Sequence, residues 1–285
     1  MALEFTGERF LPSCEGEMVY EHWHRYLFAA DYASGLRVLD VACGEGYGSA
    51  LLATKAASVT GIDVSPDAIH HATNSYHKAN LAYLCASCTS IPLPDASYDL
   101  IVSFETIEHI TEHQDFLREV ARLLSANGVF IISSPNRIEY SDRAEYSNEF
   151  HVKELDKTEL RSLLDNYFPA QKWFAQRPCF QSLLWPIDTK PEGAKTLSID
   201  GQAIYPAELY FVVCCAREEQ HLAAIAPSLS LVADNSQSVY AEWSRTYKEN
   251  RNLKLEVEVL KKNLGDTEQR ARSRWKALFL SWLKL

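Results

Sequence analysis

The sequence predicts an α/β fold: a mostly parallel sheet covered by helices on both faces, followed by a helical extension. Three observations lead there. Val38–Val41 is a short apolar run holding a single acid, Asp40, and reads as a buried strand. It runs into glycines at alternate positions, Gly44, Gly46 and Gly48, and then into a helical stretch from Ser49. Beyond it, strand-like and helix-like segments alternate, the pattern of parallel strands joined by crossover helices. From Val239 onward, apolar residues fall at alternating three and four spacing, the seam of a coiled coil.

Residues 1–35 read as a cap ahead of the first strand. Within it, Glu17 to Tyr32 is predicted helical, with Tyr20, Trp23, Leu27 and Phe28 on one side and His22, His24 and Arg25 among its polar residues. Strands are expected near 36–41, 58–62, 81–85, 98–103 and 128–134, and helices near 48–56, 66–77 and 113–124. Pro66 after Ser65 suits a first helical turn. Ser134–Pro135–Asn136 leaves the fifth strand at the carboxyl edge, where ligands bind in such sheets. Thr158 to Leu164 reads as helix, and two last strands are expected near 170–176 and 208–216.

Residues 177–207 form a long connection broken by Pro178, Pro186, Pro191 and Pro206. Loops of that length are functional or disordered, and Phe180, Trp185 and Tyr205 suit a lid or an acceptor platform. The domain is expected to end at 217, with 218–238 as a linker. In 239–285 the seam is Trp243, Thr246, Asn250, Leu253, Val257, Leu260 and Leu264, interrupted by Gly265. It predicts a homo-oligomer; the plainer alternative is one amphipathic helix docked on the domain. Arg270–Leu285 carries five cations and no acid, with Trp275, Leu278, Phe279 and Trp282 at helical spacing. That composition suits a helix in a membrane interface, or one that docks on a partner such as a glycosyltransferase.

A net charge of −10 over 285 residues argues against a nucleic-acid partner. The seven cysteines show no disulfide framework. Cys43, Cys85, Cys214 and Cys215 read as core residues, and Cys85-x-x-Cys88 lacks a second pair or a His cluster, so no metal is expected. No signal peptide or bilayer-length apolar run is visible. A cytoplasmic protein is expected, peripheral at most to the inner face of the membrane.

A strand, a glycine turn and a helix together make a nucleotide-type site. Asp63 closes the second strand, where an acid can accept hydrogen bonds from both ribose hydroxyls. At this point the chain resembles the class I S-adenosylmethionine (SAM) dependent methyltransferases. Asp40, Gly44, Gly46 and Gly48 match their first motif, and Asp63 matches their ribose-binding acid. Ile91–Pro94 with Ser97–Leu100, and Leu123–Val129, match their turns before the fourth and fifth strands. The resemblance implies SAM as cofactor and a Rossmann-like seven-stranded sheet whose last strand is antiparallel. It places Ser87 where the family has Asp facing the adenine, with backbone near Cys88 assisting. It also puts Phe104 at the cofactor, and Arg25 or Arg9 against the methionine carboxylate, a role that suits a guanidinium.

A narrower resemblance rests on Thr6–Phe10, Glu21–Tyr26, Phe104–His109 and Phe150–Leu155. These look like blocks of methyltransferases from bacterial surface-polysaccharide (O-antigen-type) assembly. They imply O-methylation of a sugar hydroxyl on a lipid-linked glycan, including capping of a chain end. A hydroxyl is a poor nucleophile, so a base should assist; the candidates are Glu105, Glu108, His109 and His151. His109 shares a face with Glu105 if Glu105–Ile110 is a helical turn. Two other classes stay open: a small-molecule methyltransferase acting on a quinone or secondary metabolite, and a non-catalytic scaffold.

Overall fold

The computed structural model describes residues 16–179, 205–226, 228–234 and 237–282. They divide into two units, one ending at Ala233 and one beginning at Asp234. The first holds α1 (Glu17–Ala30), β1 (Arg37–Val41), α2 (Tyr47–Leu52), β2 (Ser58–Asp63), α3 (Pro66–Ser75), β3 (Leu81–Cys85) and β4 (Tyr98–Ser103). It continues through α4 (His113–Leu123), β5 (Leu124–Pro135), α5 (Lys157–Asp165), β6 (Ala170–Gln176) and β7 (Tyr210–Ala216). The seven strands lie in the order β3-β2-β1-β4-β5-β7-β6. Strands β1 to β5 pair in parallel, and β7 runs antiparallel to both β5 and β6. The winding reverses between β1 and β4, which opens a crevice at their carboxyl ends.

Strand alternation splits the core in two. Val38, Leu100, Val102, Ile131 and Cys214 face the cluster that Tyr26, Ala29 and Leu52 complete. Leu39, Ile101, Phe130, Ile132 and Val213 face the cluster of Phe116, Val120, Leu123 and Leu160. Helix α4 shows why it packs there: Phe116, Val120 and Leu123 recur at four and three spacing and are wholly buried. Ser65 caps α3 through the Ala68 N–H, with Pro66 in the first turn. A capping box of Asp156 and Glu159 starts α5.

Four expectations are corrected. Strand β5 starts at Leu124, before the expected 128, because Leu124 already pairs with Tyr98 across a register shift. Cys85 is exposed, because β3 is an edge strand, whereas Cys43, Cys214 and Cys215 are core residues. The stretch after β7 is no free linker: Leu222 and Ile225 are buried, and Lys172 Nζ donates to both of their carbonyls at 2.7 and 2.9 Å. In the second unit, α6 (Ser238–Trp282) runs unbroken through Gly265. Every residue from Arg245 to Lys276 is exposed, the seam residues Leu253, Val257, Leu260 and Leu264 included. Thr6–Phe10, Phe180 and Trp185 lie outside the described residues, as do the side chains of Leu278, Phe279 and Trp282. Among the described residues no helix is long and apolar enough to cross a membrane.

Candidate active site

The loops leaving β1, β2 and β3 build one half of the crevice. Asp63 is buried at the end of β2, accepting Gly44 N–H at 3.0 Å and Ser65 N–H at 2.8 Å. Each carboxylate oxygen keeps a second lone pair, so two ribose hydroxyls can still donate to it. Asp40 lies deeper than the resemblance implies. It is wholly buried, accepting from Ser49 Oγ at 2.6 Å and Tyr26 O–H at 3.1 Å. Its carboxylate is therefore a post beneath the glycine turn, and burial raises its pKa to about 7.

The glycines are also explained from below. A Cβ on Gly48 would stand 2.1 Å from the Tyr26 ring, and one on Gly46, at φ +94°, would stand 2.7 Å from Tyr83 Oη. Tyr83 O–H in turn donates to the Gly46 carbonyl at 2.9 Å. Protein groups, ahead of any ligand, require glycine at these two positions. Ser87 shares a hydrogen bond with Thr89 at 2.8 Å at the end of β3, and burial lifts the Cys88 thiol to about 11. The Phe104 ring is buried edge-on against Tyr26 at 5.0 Å, so its side chain serves the core.

The other half follows β4 and β5. Two non-glycine residues in left-handed conformation flank the winding reversal: Ala42 (φ 62°) after β1 and Glu105 (φ 50°) after β4. The turn at Glu105 lets its N–H donate to Ser133 Oγ at 3.0 Å while that hydroxyl donates to Glu105 Oε1 at 2.6 Å. Arg25 Nη1 is 3.5 Å from the same oxygen. Arg25 is almost fully buried, with Nε donating to Gln176 at 2.7 Å and its plane 4.5 Å over the Tyr210 ring. Its Nη1 and Nη2 have no hydrogen-bond partner among the described residues. The Nη2 group of this buried cation can therefore donate to a carboxylate such as that of methionine, while Nη1 is ion-paired with Glu105. Arg9 lies outside the described residues.

Glu105 and His109 do not share a helical face. Only Ile107–His109 forms a short 3-10 turn, and Glu105 precedes it in left-handed backbone. His109 turns to the segment after β5 instead, with Nδ1 3.0 Å from the Phe150 carbonyl and its ring 4.9 Å from that of His151. His151 Nδ1 is 2.6 Å from Glu154 Oε1, Asn148 Nδ2 is 3.0 Å from its Nε2, and Tyr140 stacks on it at 5.5 Å. Glu108 is wholly buried, and its carbonyl accepts the N–H groups of Val152 and Lys153, which ties the two segments together. Neither of its carboxylate oxygens has a hydrogen-bond partner among the described residues.

Four contributors were not singled out from sequence. Glu154 could have been found, standing three residues after His151 in a polar stretch. Tyr210 gives no sequence signal, since only the sheet order brings it to Arg25, and Tyr140 reaches His151 from the helical turn that follows β5. Glu21 reads as helix surface, yet it is buried, accepts from Tyr210 O–H at 3.2 Å, and has its pKa raised to about 7 by burial.

Residues 39–132 match the family model described as a methyltransferase domain. The chain is 37% identical over 167 residues to a Mycolicibacterium smegmatis protein that bears the name "probable S-adenosylmethionine-dependent methyltransferase", covering 58% of this chain and 64% of that one. It is 35% identical over 105 residues to a ubiquinone biosynthesis O-methyltransferase of Bradyrhizobium diazoefficiens, covering 36% of this chain and 41% of that one. The chain thus spans less than two thirds of these relatives. In fold it is similar to a protein of Pyrococcus horikoshii, with a TM-score of 0.52 and 20% identity, covering 72% of this chain and 96% of that one.

Proposed function

We propose, on the premise that residues 39–132 are a class I SAM-dependent methyltransferase domain, that this chain methylates a hydroxyl oxygen. The acceptor we infer is a sugar hydroxyl of a lipid-linked polysaccharide, with capping of the chain end as one form of the reaction. The observation that carries the reading is the pairing, across one crevice, of a nucleoside cradle with a carboxylate–imidazole cluster. SAM, when bound, supplies a methyl group on a positively charged sulfur. Asp63 holds the ribose, and Arg25, whose Nη1 is ion-paired with Glu105 and whose Nη2 has no hydrogen-bond partner among the described residues, meets the methionine carboxylate. Holding the acceptor oxygen in line with the methyl lowers the barrier by up to about 7–11 kcal/mol. The hydroxyl proton passes to the group of Glu105, His109 and His151. Tyr140, stacked on His151, gives the acceptor side an aromatic wall suited to a sugar face.

One observation favours a second reading. A relative's name includes ubiquinone biosynthesis, so a phenolic hydroxyl of a quinone precursor is the competing acceptor. The experiment is transfer of labelled methyl from SAM to a panel of lipid-linked and synthetic oligosaccharides and dihydroxybenzene quinone precursors. Label in the glycans alone supports the first reading and label in the phenols alone the second. SAM binding with no transfer to any hydroxyl would overturn both, and failure to bind SAM would leave a scaffold.

We also propose that the exposed seam of α6 joins copies of this chain, and that Arg270, Arg272, Arg274 and Lys276 draw it to an anionic membrane surface. Light scattering tests the first: a chain ending at Gln237 should lose the parent's oligomer, and an unchanged mass would sink the idea. Vesicle sedimentation tests the second, where salt-sensitive binding to anionic lipid is expected and none at low salt refutes it.

A further inference from the structure

Glu108, His109 and His151 do more than sit near one another. Each offers a ligand atom, and these atoms all lie within 4.8 Å of one another. Glu108 Oε1 stands 4.0 Å from His109 Nε2. Donors about 2.0–2.1 Å from one tetrahedral ion stand roughly 3.3 Å apart, so modest closure seats a cation. A buried carboxyl group with neither oxygen hydrogen-bonded is costly, and among the described residues Glu108 is such a group, wholly buried and turned toward an imidazole.

The surroundings select the same three atoms. The neighbour of His109 Nδ1 is a carbonyl and that of His151 Nδ1 a carboxylate, and both can only accept. His151 Nδ1 therefore carries the proton, and its Nε2 presents a lone pair to the Asn148 amide. A carboxylate or carbonyl behind each imidazole is the usual support of metal-binding histidines. Asn148 Nδ2 now lies against His151 Nε2 and would swing aside on loading. Glu154 Oε2 also lacks a hydrogen-bond partner among the described residues.

We propose that Glu108, His109 and His151 bind a single divalent transition-metal ion, of the zinc, cobalt, iron or manganese type that two imidazoles and a carboxylate suit. This departs from the metal-free expectation, which considered only the cysteines. The site stands on its own geometry; its part in chemistry rests on the methyltransferase reading. There, the acceptor hydroxyl becomes a further ligand and is acidified by the ion. With both histidines engaged, its proton goes to Glu105. The new O–CH3 bond forms as the sulfur–CH3 bond breaks, and that electron pair stays on sulfur.

The test is Co²⁺ titration of the chelator-stripped full chain, followed by the visible d–d bands, with SAM affinity measured calorimetrically on every variant. One equivalent of Co²⁺ should bind and develop the bands. Glu108→Gln and His109→Gln should abolish them, and Glu154→Gln should weaken uptake about 10–100-fold, each with the parent's SAM affinity as proof of folding. No Co²⁺ uptake by a parent that binds SAM would overturn the site, as would parental Co²⁺ affinity in both Glu108→Gln and His109→Gln. A parent that takes up Co²⁺ but not SAM would support the site and refute the methyltransferase reading.

Discussion

The two halves of the crevice treat buried charge in opposite ways. On the β1–β2 side every carboxylate oxygen of Asp40 and Asp63 has a hydrogen bond from the protein. On the β4–β5 side, Arg25 Nη1 and Nη2, both oxygens of Glu108 and one of Glu154 have none among the described residues. A saturated half is a finished mould that needs little from its ligand beyond fit. An unsaturated half stores cost that a bound carboxylate, cation or acceptor can relieve, and so couples ligand binding to stability.

The comparison can be broken first at Arg25. Arg25→Met leaves Glu105, Glu21 and Glu108 without their shared cation, and removing one partner of a buried pair costs about 3–5 kcal/mol. Urea unfolding should show a loss of that order, and a loss below ~1 kcal/mol would mean that the half is not electrostatically strained. Next comes pH. Asp40 and Glu21 have folded pKa values of about 7, raised by burial from 3.8 and 4.5. The folded state therefore holds their protons more tightly. The stability this gives is full below the unfolded values and is lost as pH rises through about 7. Asp40→Asn should flatten part of the decline between those limits, at most ~4 kcal/mol, and Glu21→Gln another part. A parent whose stability rises across that window would refute the sign.

Smaller effects sharpen the contrast. Asp63→Ala removes charge-assisted bonds worth roughly 1.5–3 kcal/mol each, so SAM should bind about tenfold or more weaker by calorimetry. Unchanged affinity would displace the ribose from β2. Tyr83→Phe removes one neutral bond to the Gly46 carbonyl, so urea unfolding should show a loss of about 1 kcal/mol. A neutral result there would mean that the glycine turn is held by packing alone.

The saturated half was also the legible one. Asp40, Gly44, Gly46 and Gly48 sit close along the chain on one strand–turn–helix and Asp63 closes the next strand, so their placement follows from a local pattern. The unsaturated half comes from residues far apart in sequence. Arg25 meets Glu105, Gln176 and Tyr210 only because β7 inserts between β5 and β6. The helical spacing expected for Glu105 and His109 failed at a left-handed residue that no periodicity announces. Cys85 misled for a related reason: an apolar strand reads as buried until the sheet order shows it at an edge.

Helix α6 has a further consequence. A 45-residue helix would extend about 68 Å, yet every residue from Arg245 to Lys276 is exposed. Isolated helices draw little stability from propensity alone. Its order should therefore depend on how many copies share a volume. Dilution would fray it and crowding on a surface would wind it, which makes its circular-dichroism helicity a gauge of local protein concentration.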